Sequence, residues 1–249
     1  MHKFFVMPKD IRDERAYITG DDVKHIYKVL RLKSEDEVLI NNCKGKEYLG
    51  RISVVNKNEV IVDLIANIER SNESNLSITL YQGLPKSAKM DYIVQKGTEI
   101  GINEITPVVT ERVVVKSELN EFKKTDRWRR IALEACKQCK RTIIPEINEP
   151  IEFINLLSQL KKYDVVVVPY ENEDGFGIKR MCRNLDSEVK SAAIVIGPEG
   201  GFEEKEIDEL KKLGAYIVTL GPRILRTETA GIVAASILQY ELGDLGGND

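Results

Sequence analysis

The spacing of apolar positions divides the chain into two regions. Over the first 70 residues, five short segments rich in β-branched and aromatic residues alternate with turn-forming residues, a pattern typical of strands. These strands are predicted at residues 4–7, 16–19, 37–41, 48–55 and 59–65. Val23, Ile26, Tyr27 and Leu30 follow helical spacing and predict one helix over residues 21–32. Residues 1–70 are therefore predicted to form a small β-rich domain.

The remaining sequence alternates between strands and helices. Strands of continuous apolar character are predicted at residues 77–82, 105–109, 165–169, 192–196 and 215–220, and helices at 88–100, 126–141, 203–213 and 227–242. This alternation indicates a parallel sheet covered by helices on both faces. The polar segment at residues 67–77 lacks periodicity and is the predicted linker. Residues 75–249 are thus expected to form an α/β domain.

Composition changes this picture only slightly. The 249 residues contain no apolar run near the roughly 20 residues that span a bilayer. The N-terminus is charged too early for a signal peptide, so a cytoplasmic protein without a membrane partner is expected. The formal net charge of −3 argues weakly against a nucleic-acid partner. Local charge differs, because residues 112–141 hold ten Lys or Arg against four Asp or Glu.

The helix at residues 126–141 has two contrasting faces. Trp128, Ile131, Ala132, Ala135, Cys136 and Cys139 form an apolar stripe at helical spacing. Nearly opposite lies a basic stripe of Arg127, Arg130, Lys137 and Arg141. A phosphate-binding face is favoured for this stripe, with ordinary solvated charge as the alternative. Lys24, Lys28 and Arg31 share a face of the first helix, and the same two interpretations, a phosphate-binding face or solvated charge, apply to them.

The cysteine pair Cys136-x-x-Cys139 resembles half of a zinc site. No second pair follows, and the two histidines, His2 and His25, are far away in the sequence. Because both cysteines fall on the apolar stripe, they are interpreted as buried thiols, and no metal is expected.

Three strand ends carry polar or glycine-rich segments. The strand at 165–169 ends in Pro169-Tyr170-Glu171, the next runs into the turn Gly197–Gly201, and the third ends in Leu220-Gly221-Pro222. Ligands of open parallel sheets bind beyond the carboxyl ends of strands, and glycines there permit close backbone approach. The turn is neither G-x-G-x-x-G nor a P-loop. A ligand pocket is therefore predicted, with a plain tight turn as the alternative.

The start of the last helix contributes further polar groups. Arg226, Thr227, Glu228 and Thr229 precede a segment that is apolar almost all round and so should be buried. Its polar start would lie beside the glycine turn, at the edge of the sheet where a helix N-terminus favours anions. Simple capping by Thr227 is the alternative.

These motifs, in this order, resemble a known class. VVVVPYE, IVIGPEGGF and VTLGPRILRTETA are similar to the cofactor-binding half of the SPOUT RNA methyltransferases, and most of all to the family that methylates N3 of uridine 1498 in 16S ribosomal RNA. QKGTEIG at 95–101, the helix at 127–141 and HIYKVLRLK at 25–33 also resemble that family, so the likeness covers nearly the whole chain. Glu203 departs from the family, which usually has a serine there.

The resemblance implies a fold and partners that periodicity alone does not. It implies an α/β SPOUT domain with a deep trefoil knot, an exception to the usual unknotted chain. It also implies a PUA-like RNA-binding barrel at the N-terminus, a homodimer, S-adenosylmethionine as cofactor, and 16S ribosomal RNA of the small ribosomal subunit as substrate.

The residues and the resemblance together give the expected site residues. The cofactor-binding residues are expected to be Pro169, Tyr170, Glu171, Ile196, Gly197, Pro198, Glu199, Gly200, Gly201, Leu220, Gly221, Ile224, Leu225 and Thr229. The expected RNA-binding residues are His25, Lys28, Arg31, Lys86, Lys89, Lys96, Arg112, Arg127, Arg130, Lys137 and Arg141. Arg226 is the first candidate to stabilise a uridine anion, and Glu228 either accepts the proton or orients Arg226.

Three other functions stay open at this point. One is a SPOUT methyltransferase that acts on transfer RNA, and another is a non-catalytic RNA-binding factor in ribosome assembly. The third, a nucleotide-dependent oxidoreductase on a Rossmann sheet, is weakened because no dinucleotide glycine pattern follows an early strand.

Overall fold

The computed structural model describes residues 1–69, 72–86, 88–113, 121–185 and 187–247, with the backbone alone described at 121–123. The described chain forms two compact units. The first comprises Met1–Glu73 and Cys136–Ile144, and the second Ser74–Ala135 and Pro145–Asp249. The linker predicted at 67–77 includes residues 70 and 71, and the basic segment at 112–141 includes residues 114–120, all of which lie outside the described residues.

The first unit is built on a six-stranded sheet with the order β1-β4-β5-β6-β3-β2. The strands are β1 Lys3–Phe5, β2 Ile11–Arg12, β3 Arg15–Thr19, β4 Glu37–Asn41, β5 Glu47–Val55 and β6 Glu59–Ile68. All pairs are antiparallel except β1–β4. Val38 and Ile40 of β4 are buried with Val60 and Val62 of β6, so one face of each strand supplies the core.

The helix predicted at residues 21–32 proved shorter and irregular. One α-helical turn, α1 at Asp21–Lys24, continues as a π-helix over His25–Leu30 and ends at Arg31, whose φ is 53°. A π-helix contains more residues per turn than an α-helix. Residues 24, 28 and 31 therefore do not form the straight α-helical face that the sequence predicted, and Lys24 forms an ion pair with Asp21.

The second unit contains a seven-stranded, fully parallel sheet. Its strands are β7 Ser77–Gly83, β8 Glu104–Val109, β9 Glu146–Ile147, β10 Ile151–Glu152, β11 Val165–Pro169, β12 Ser191–Ile196 and β13 Tyr216–Val218. The order is β10-β8-β7-β12-β11-β13, with β9 paired to β8. Almost every residue of β7, β11 and β12 is buried, as expected for strands covered on both faces.

Helices cover this sheet. They are α2 Lys89–Glu99, α3 Glu121–Cys139, α4 Phe153–Gln159, α5 Ile178–Arg183, α6 Glu204–Lys212 and α7 Thr227–Leu242. After β13 the chain returns so that α7 packs against α2, α5, β7 and β12. The predicted α/β fold class is thereby confirmed. The short elements β9, β10, α4 and α5 were not predicted, because so few residues give no clear periodicity.

Arg141 is not part of an exposed basic stripe, which corrects its predicted role in RNA binding. Helix α3 ends at Cys139, and Lys140 adopts a left-handed φ of 63°, so the chain turns before Arg141. The Arg141 guanidinium is buried and donates to Glu73 Oε2 from Nε at 3.0 Å and from Nη2 at 2.7 Å. Glu73 Oε1 also accepts from the backbone of Thr142 and Ile143. This pair therefore holds the first unit together.

The buried face of α3 agrees with the predicted stripe. Trp128, Ala132, Ala135 and Cys136 are buried, and Cys139 is half-buried. Burial raises the pKa of the Cys136 thiol to about 12, so it is a protonated thiol near neutral pH. Among the described residues, no three His, Cys, Asp or Glu side chains form a cluster that could hold a metal ion.

A separate observation concerns membranes. No helix in the described part of the chain has both the length and the apolar character needed to cross a bilayer.

Removing the Arg141 side chain should destabilise the first unit strongly. Arg141→Ala removes the guanidinium that binds the buried Glu73 carboxylate, and breaking a buried pair in this way costs about 3–5 kcal/mol. Urea denaturation would measure the loss. Arg129→Ala is a matched control, because Arg129 is half exposed beside Asp126 and Glu149 and should cost under about 1 kcal/mol. Equal losses for the two variants would contradict this account.

Candidate functional site

A cavity of about 1070 Å³ lies at the carboxyl edge of the parallel sheet. Strands β12, β11 and β13 are neighbours, so their ends emerge side by side. The cavity is lined by Lys89, Pro169, Tyr170, Glu171, Asn172, Glu173, Asp174, Ile196, Gly197, Pro198, Glu199, Gly201, Phe202, Thr219, Leu220, Gly221, Pro222, Arg223, Ile224, Leu225, Arg226, Thr227 and Ala230. Its volume is close to the upper limit of small-molecule sites, which is about 1,000 Å³.

Twelve of the fourteen predicted cofactor-binding residues line this cavity, and Gly200 and Thr229 do not. A Cβ atom at Gly200 would lie 3.1 Å from Arg112 Cβ, so this glycine faces Arg112 and not the cavity. The Thr229 backbone N–H donates to Arg226 O at 2.8 Å within the first turn of α7. Sequence spacing could not distinguish the two faces of these turns.

The glycines of the site permit close backbone contacts. A Cβ at Gly83, the last residue of β7, would lie 2.5 Å from Pro198 N and 2.7 Å from Gly197 C. Gly201 has a φ of 70°, and a Cβ there would lie 2.6 Å from Glu171 Oε1. A side chain at Gly83 would therefore push the glycine turn away from β7, whereas Gly201 is required for its positive φ, since the Glu171 side chain could move aside.

A chain of hydrogen bonds connects β7, α7 and the glycine turn. Gln82 Nε2 donates to Thr227 Oγ1 at 2.8 Å, and Thr227 Oγ1 donates to Gly197 O at 2.6 Å. Both side chains are buried. Arg226, and not Thr227, is the N-cap residue of α7, so the capping alternative for Thr227 is wrong. Its hydroxyl positions the glycine turn instead.

Lys89 connects two carboxylates at the edge of the cavity. Its Nζ lies 3.0 Å from Glu199 Oε1 and 3.1 Å from Glu228 Oε2. The Lys86 backbone N–H also donates to Glu199 Oε1 at 3.0 Å. The bond to Glu199 is the main cause of a raised pKa for Lys89. Burial alone would raise the pKa of Glu199, but bonds from its own backbone, Lys89 and Lys86 bring it below its ordinary value.

Glu228 therefore contacts Lys89 and does not orient Arg226. Arg226 is exposed at the start of α7, and no carboxylate in the described part of the chain forms an ion pair with it. Lys89 was predicted to bind RNA. The sequence could not indicate its two partners, because they come from distant segments.

Arg112, predicted to bind RNA, contacts residues of the glycine turn and the start of α6 instead. Its Nε donates to Glu203 Oε1 at 2.7 Å, and its Nη1 donates to Gly200 O at 3.1 Å. The bond to Glu203 raises the pKa of Arg112, and the reciprocal bond lowers that of Glu203. Glu206 accepts from the Glu203 N–H at 2.8 Å and thereby caps α6. Glu203, which departs from the family's usual serine, thus supports the glycine turn through Arg112.

Some of the other predicted RNA-binding residues contact neighbouring protein groups, and others are exposed to solvent. Lys96 forms an ion pair with Glu99, Arg127 with Asp91, and Lys137 with Asp22. Arg130 Nε donates to Asp126 O at 3.3 Å. Exposed side chains are found at His25, Lys28, Arg31 and Lys86. His25, Lys28, Arg31 and Lys137 belong to the first unit, and Lys86, Lys96, Arg127 and Arg130 to the second.

Loss of the Thr227 hydroxyl should destabilise the second unit. Thr227→Val keeps the shape of the side chain but leaves Gln82 Nε2 and Gly197 O without this partner, at a cost of about 1–3 kcal/mol. The free energy of unfolding in urea is the measurement. Thr227→Ser retains the hydroxyl and should stay within about 1 kcal/mol of the native protein. A valine variant as stable as the serine variant would contradict the positioning role.

Family models match both regions of the chain. The model of the RNA methyltransferase domain matches residues 72–239, and that of the RNA methyltransferase PUA domain matches residues 18–65. Ribosomal RNA small subunit methyltransferase E of Bacillus subtilis is 35% identical over 97% of both chains. The protein of that name from Aquifex aeolicus is 34% identical over 96% of this chain and 99% of its own length.

Solved structures agree with the sequence matches. A methyltransferase from Legionella pneumophila with bound S-adenosylmethionine has a TM-score of 0.83 at 32% identity and covers 98% of both chains. A ribosomal RNA small subunit methyltransferase E from Neisseria gonorrhoeae, also bound to S-adenosylmethionine, has a TM-score of 0.82 at 28% identity, over 98% of this chain and 99% of its own. The SPOUT resemblance is confirmed, and the chain belongs to the ribosomal RNA small subunit methyltransferase E family of RNA methyltransferases.

Proposed function

We propose that this chain transfers the methyl group of S-adenosylmethionine to N3 of a uridine, at the position corresponding to 1498, in 16S ribosomal RNA of the small ribosomal subunit in the cytoplasm. The observation that carries the proposal is the cavity at the ends of β11, β12 and β13, with the glycine turn on one side and Arg226 on the other. Relatives that share nearly the full length of the chain bear the name of a small-subunit ribosomal RNA methyltransferase.

The residues present fit the cofactor. S-adenosylmethionine supplies a methyl group activated by its sulfonium. A cavity of about 1070 Å³ is large enough for it. Backbone groups of residues 196–201 and 220–225 would hold the adenosine end, since glycines at 197, 201 and 221 leave these backbones open. Pro169, Tyr170 and Glu171 would close the third side.

Arg226 would lower the barrier to the chemical step. N3 of uridine carries a proton and becomes a nucleophile only after losing it, which leaves negative charge on O2 and O4. Because Arg226 is exposed at the cavity, its guanidinium is available to that charge. The N-terminus of α7 adds its positive dipole end in the same place. Preorganised cations of this kind stabilise a developing anion.

Glu228 is the proposed proton acceptor, and release of the proton directly to water is the other route. Its carboxylate lies in the first turn of α7, two residues after Arg226, and 3.1 Å from Lys89 Nζ. An ionised carboxylate is the form that a general base requires.

Both regions of the chain would contact the RNA. We propose that residues 1–70 form the PUA-like RNA-binding domain and residues 75–249 the methyltransferase domain. His25, Lys28 and Arg31 are exposed in the first unit, and Arg130 of α3 is exposed in the second, where Arg127 is also exposed but paired with Asp91. Such residues bind phosphates without reading sequence. Arg141 is excluded from this set because it is buried.

We further propose a homodimer. Two apolar side chains, Tyr92 of α2 and Tyr240 of α7, are 48% and 67% exposed on helices that pack together. Ile224, in the loop that lines the cavity, is 84% exposed. Exposed apolar groups of this size on neighbouring elements are suited to covering by a second copy.

Mapping the modified nucleotide would test the proposed reaction. The purified chain and S-adenosylmethionine would be incubated separately with small subunits from a strain lacking this methylation, with free 16S ribosomal RNA, and with transfer RNA. We expect one new N3-methyluridine at the position corresponding to 1498 in at least one of the ribosomal substrates. Methylation confined to transfer RNA would replace the proposal with the transfer-RNA alternative. Cofactor binding without any methylation would favour an RNA-binding assembly factor.

Arg226→Ala should slow the chemical step selectively. Removing one preorganised donor typically costs about 10²–10³ in rate. Single-turnover methylation with saturating RNA and cofactor would show this loss, and calorimetry should find nearly unchanged cofactor affinity. Arg223→Ala removes a second exposed cation of the same loop. An equal loss in that variant would mean that the rate depends on the total positive charge of the loop and not on the position of Arg226.

Glu228→Gln distinguishes the two routes for the proton. If Glu228 accepts the proton, the single-turnover rate falls and the acidic limb of its pH profile disappears, because the amide does not titrate. If water takes the proton, the profile keeps its shape. A native rate and profile would remove Glu228 from the mechanism.

A further inference from the structure

The cluster of Lys89, Glu199 and Glu228 joins three separate elements at the cavity. Lys89 is the first residue of α2, Glu199 belongs to the glycine turn after β12, and Glu228 lies in the first turn of α7. The Lys89 Nζ lies 3.0 Å from Glu199 Oε1 and 3.1 Å from Glu228 Oε2. All three elements belong to the second unit. A single cation thus contacts two carboxylates, one from the glycine turn that lines the cavity and one from the first turn of α7.

The burial of the cluster makes this contact stronger than an ordinary surface pair. The side chains of Lys89, Glu199 and Glu228 are only 26%, 29% and 17% exposed. Glu228 Oε2 is shielded from solvent and accepts no well-directed hydrogen bond from the described residues, so the nearby ammonium is its main compensation. Without Lys89, two partly buried like charges would remain, and each would disfavour the other.

Backbone contacts already join the segment between β7 and α2 to the glycine turn. Gly83 packs directly against Pro198 and Gly197, and the Lys86 N–H donates to Glu199. The segment between β7 and α2 is therefore already in close contact with the glycine turn. The Lys89 side chain extends this contact to the start of α7, beside Thr227, whose hydroxyl bonds to Gly197 O.

We propose that Lys89 is a positioning residue for the cofactor. It fixes the glycine turn relative to the loop that leads into α7, and so sets the spacing between the two backbone segments that would hold the adenosine end. This inference rests on the proposed cofactor site, and it replaces the RNA-binding role that the sequence suggested for Lys89. The side chain acts through Glu199 and Glu228, and no direct bond to the cofactor is required.

Calorimetric titration of the full chain with S-adenosylmethionine, in the absence of RNA, tests this role. Lys89→Met should weaken the affinity about tenfold, since a charge-assisted contact of this kind is lost. Lys89→Arg should stay within about threefold, because a guanidinium can also contact two carboxylates. Lys212→Met is the matched control. It removes a Lys–Glu ion pair at the far end of α6, outside the residues that line the cavity, and should leave the affinity unchanged.

A double-mutant cycle then separates positioning from general loss of stability. If Lys89 acts through Glu199, Glu199→Gln should weaken cofactor binding in the native background but add little in the Lys89→Met background. Additive losses would overturn the proposal, because they would show that the two side chains act independently. So would a Lys89→Arg variant that loses as much affinity as Lys89→Met.

The outcomes also distinguish this inference from the proposed function. Native cofactor affinity in Lys89→Met, with weaker RNA binding and a smaller salt dependence, would return Lys89 to a phosphate-contacting role and overturn the inference. Failure of the native chain to bind S-adenosylmethionine would overturn the cofactor site itself, and with it this inference. Native cofactor binding without uridine methylation would overturn the proposed reaction and leave the calorimetric test of Lys89 intact.

Discussion

The parallel pairing of β12 with β7 on one side and β11 on the other is the constraint on which the site depends. Strand β13 then pairs with β11, again in parallel. Because all these strands run in the same direction, the segments that follow β11, β12 and β13 emerge at one edge of the sheet. Burial of the strands on both faces makes this arrangement costly to change, since a shift in pairing would expose apolar side chains.

Parallel pairing brings the loops together, but polar contacts set their spacing. Gln82, Thr227 and the Gly197 carbonyl form a chain from the centre of the sheet to the glycine turn. On the opposite side of that turn, Arg112 binds both Glu203 and the Gly200 carbonyl. The turn is therefore fixed by Thr227, which also lines the cavity, and by Arg112, which does not. Such supporting contacts are what hold a binding site in its productive geometry.

The distribution of paired charges refines the prediction that basic segments of the chain bind RNA. Arg141, Lys89 and Arg112 all have carboxylate partners, and the partner of Arg141 is buried with it. These cations stabilise the protein's own structure. Exposed residues such as Lys28 and Arg31 have no such role among the contacts described. A count of positive charges along a segment therefore overestimates the charge available to a phosphate backbone.

The amino-acid sequence by itself determined the fold class, the order of the main strands and helices, and the segments that line the cavity. It could do so because apolar spacing and glycine-rich turns reflect the conformation of a few consecutive residues. Tertiary structure alone decided the π-helical turn at His25–Leu30, the direction in which Gly200 faces, and the partners of Lys89, Arg112 and Arg141. Those partners lie far away in the sequence: 68 positions separate Arg141 from Glu73, and 91 separate Arg112 from Glu203. A charged side chain carries no local sign of which distant carboxylate will meet it, because that choice depends on how the folded elements pack.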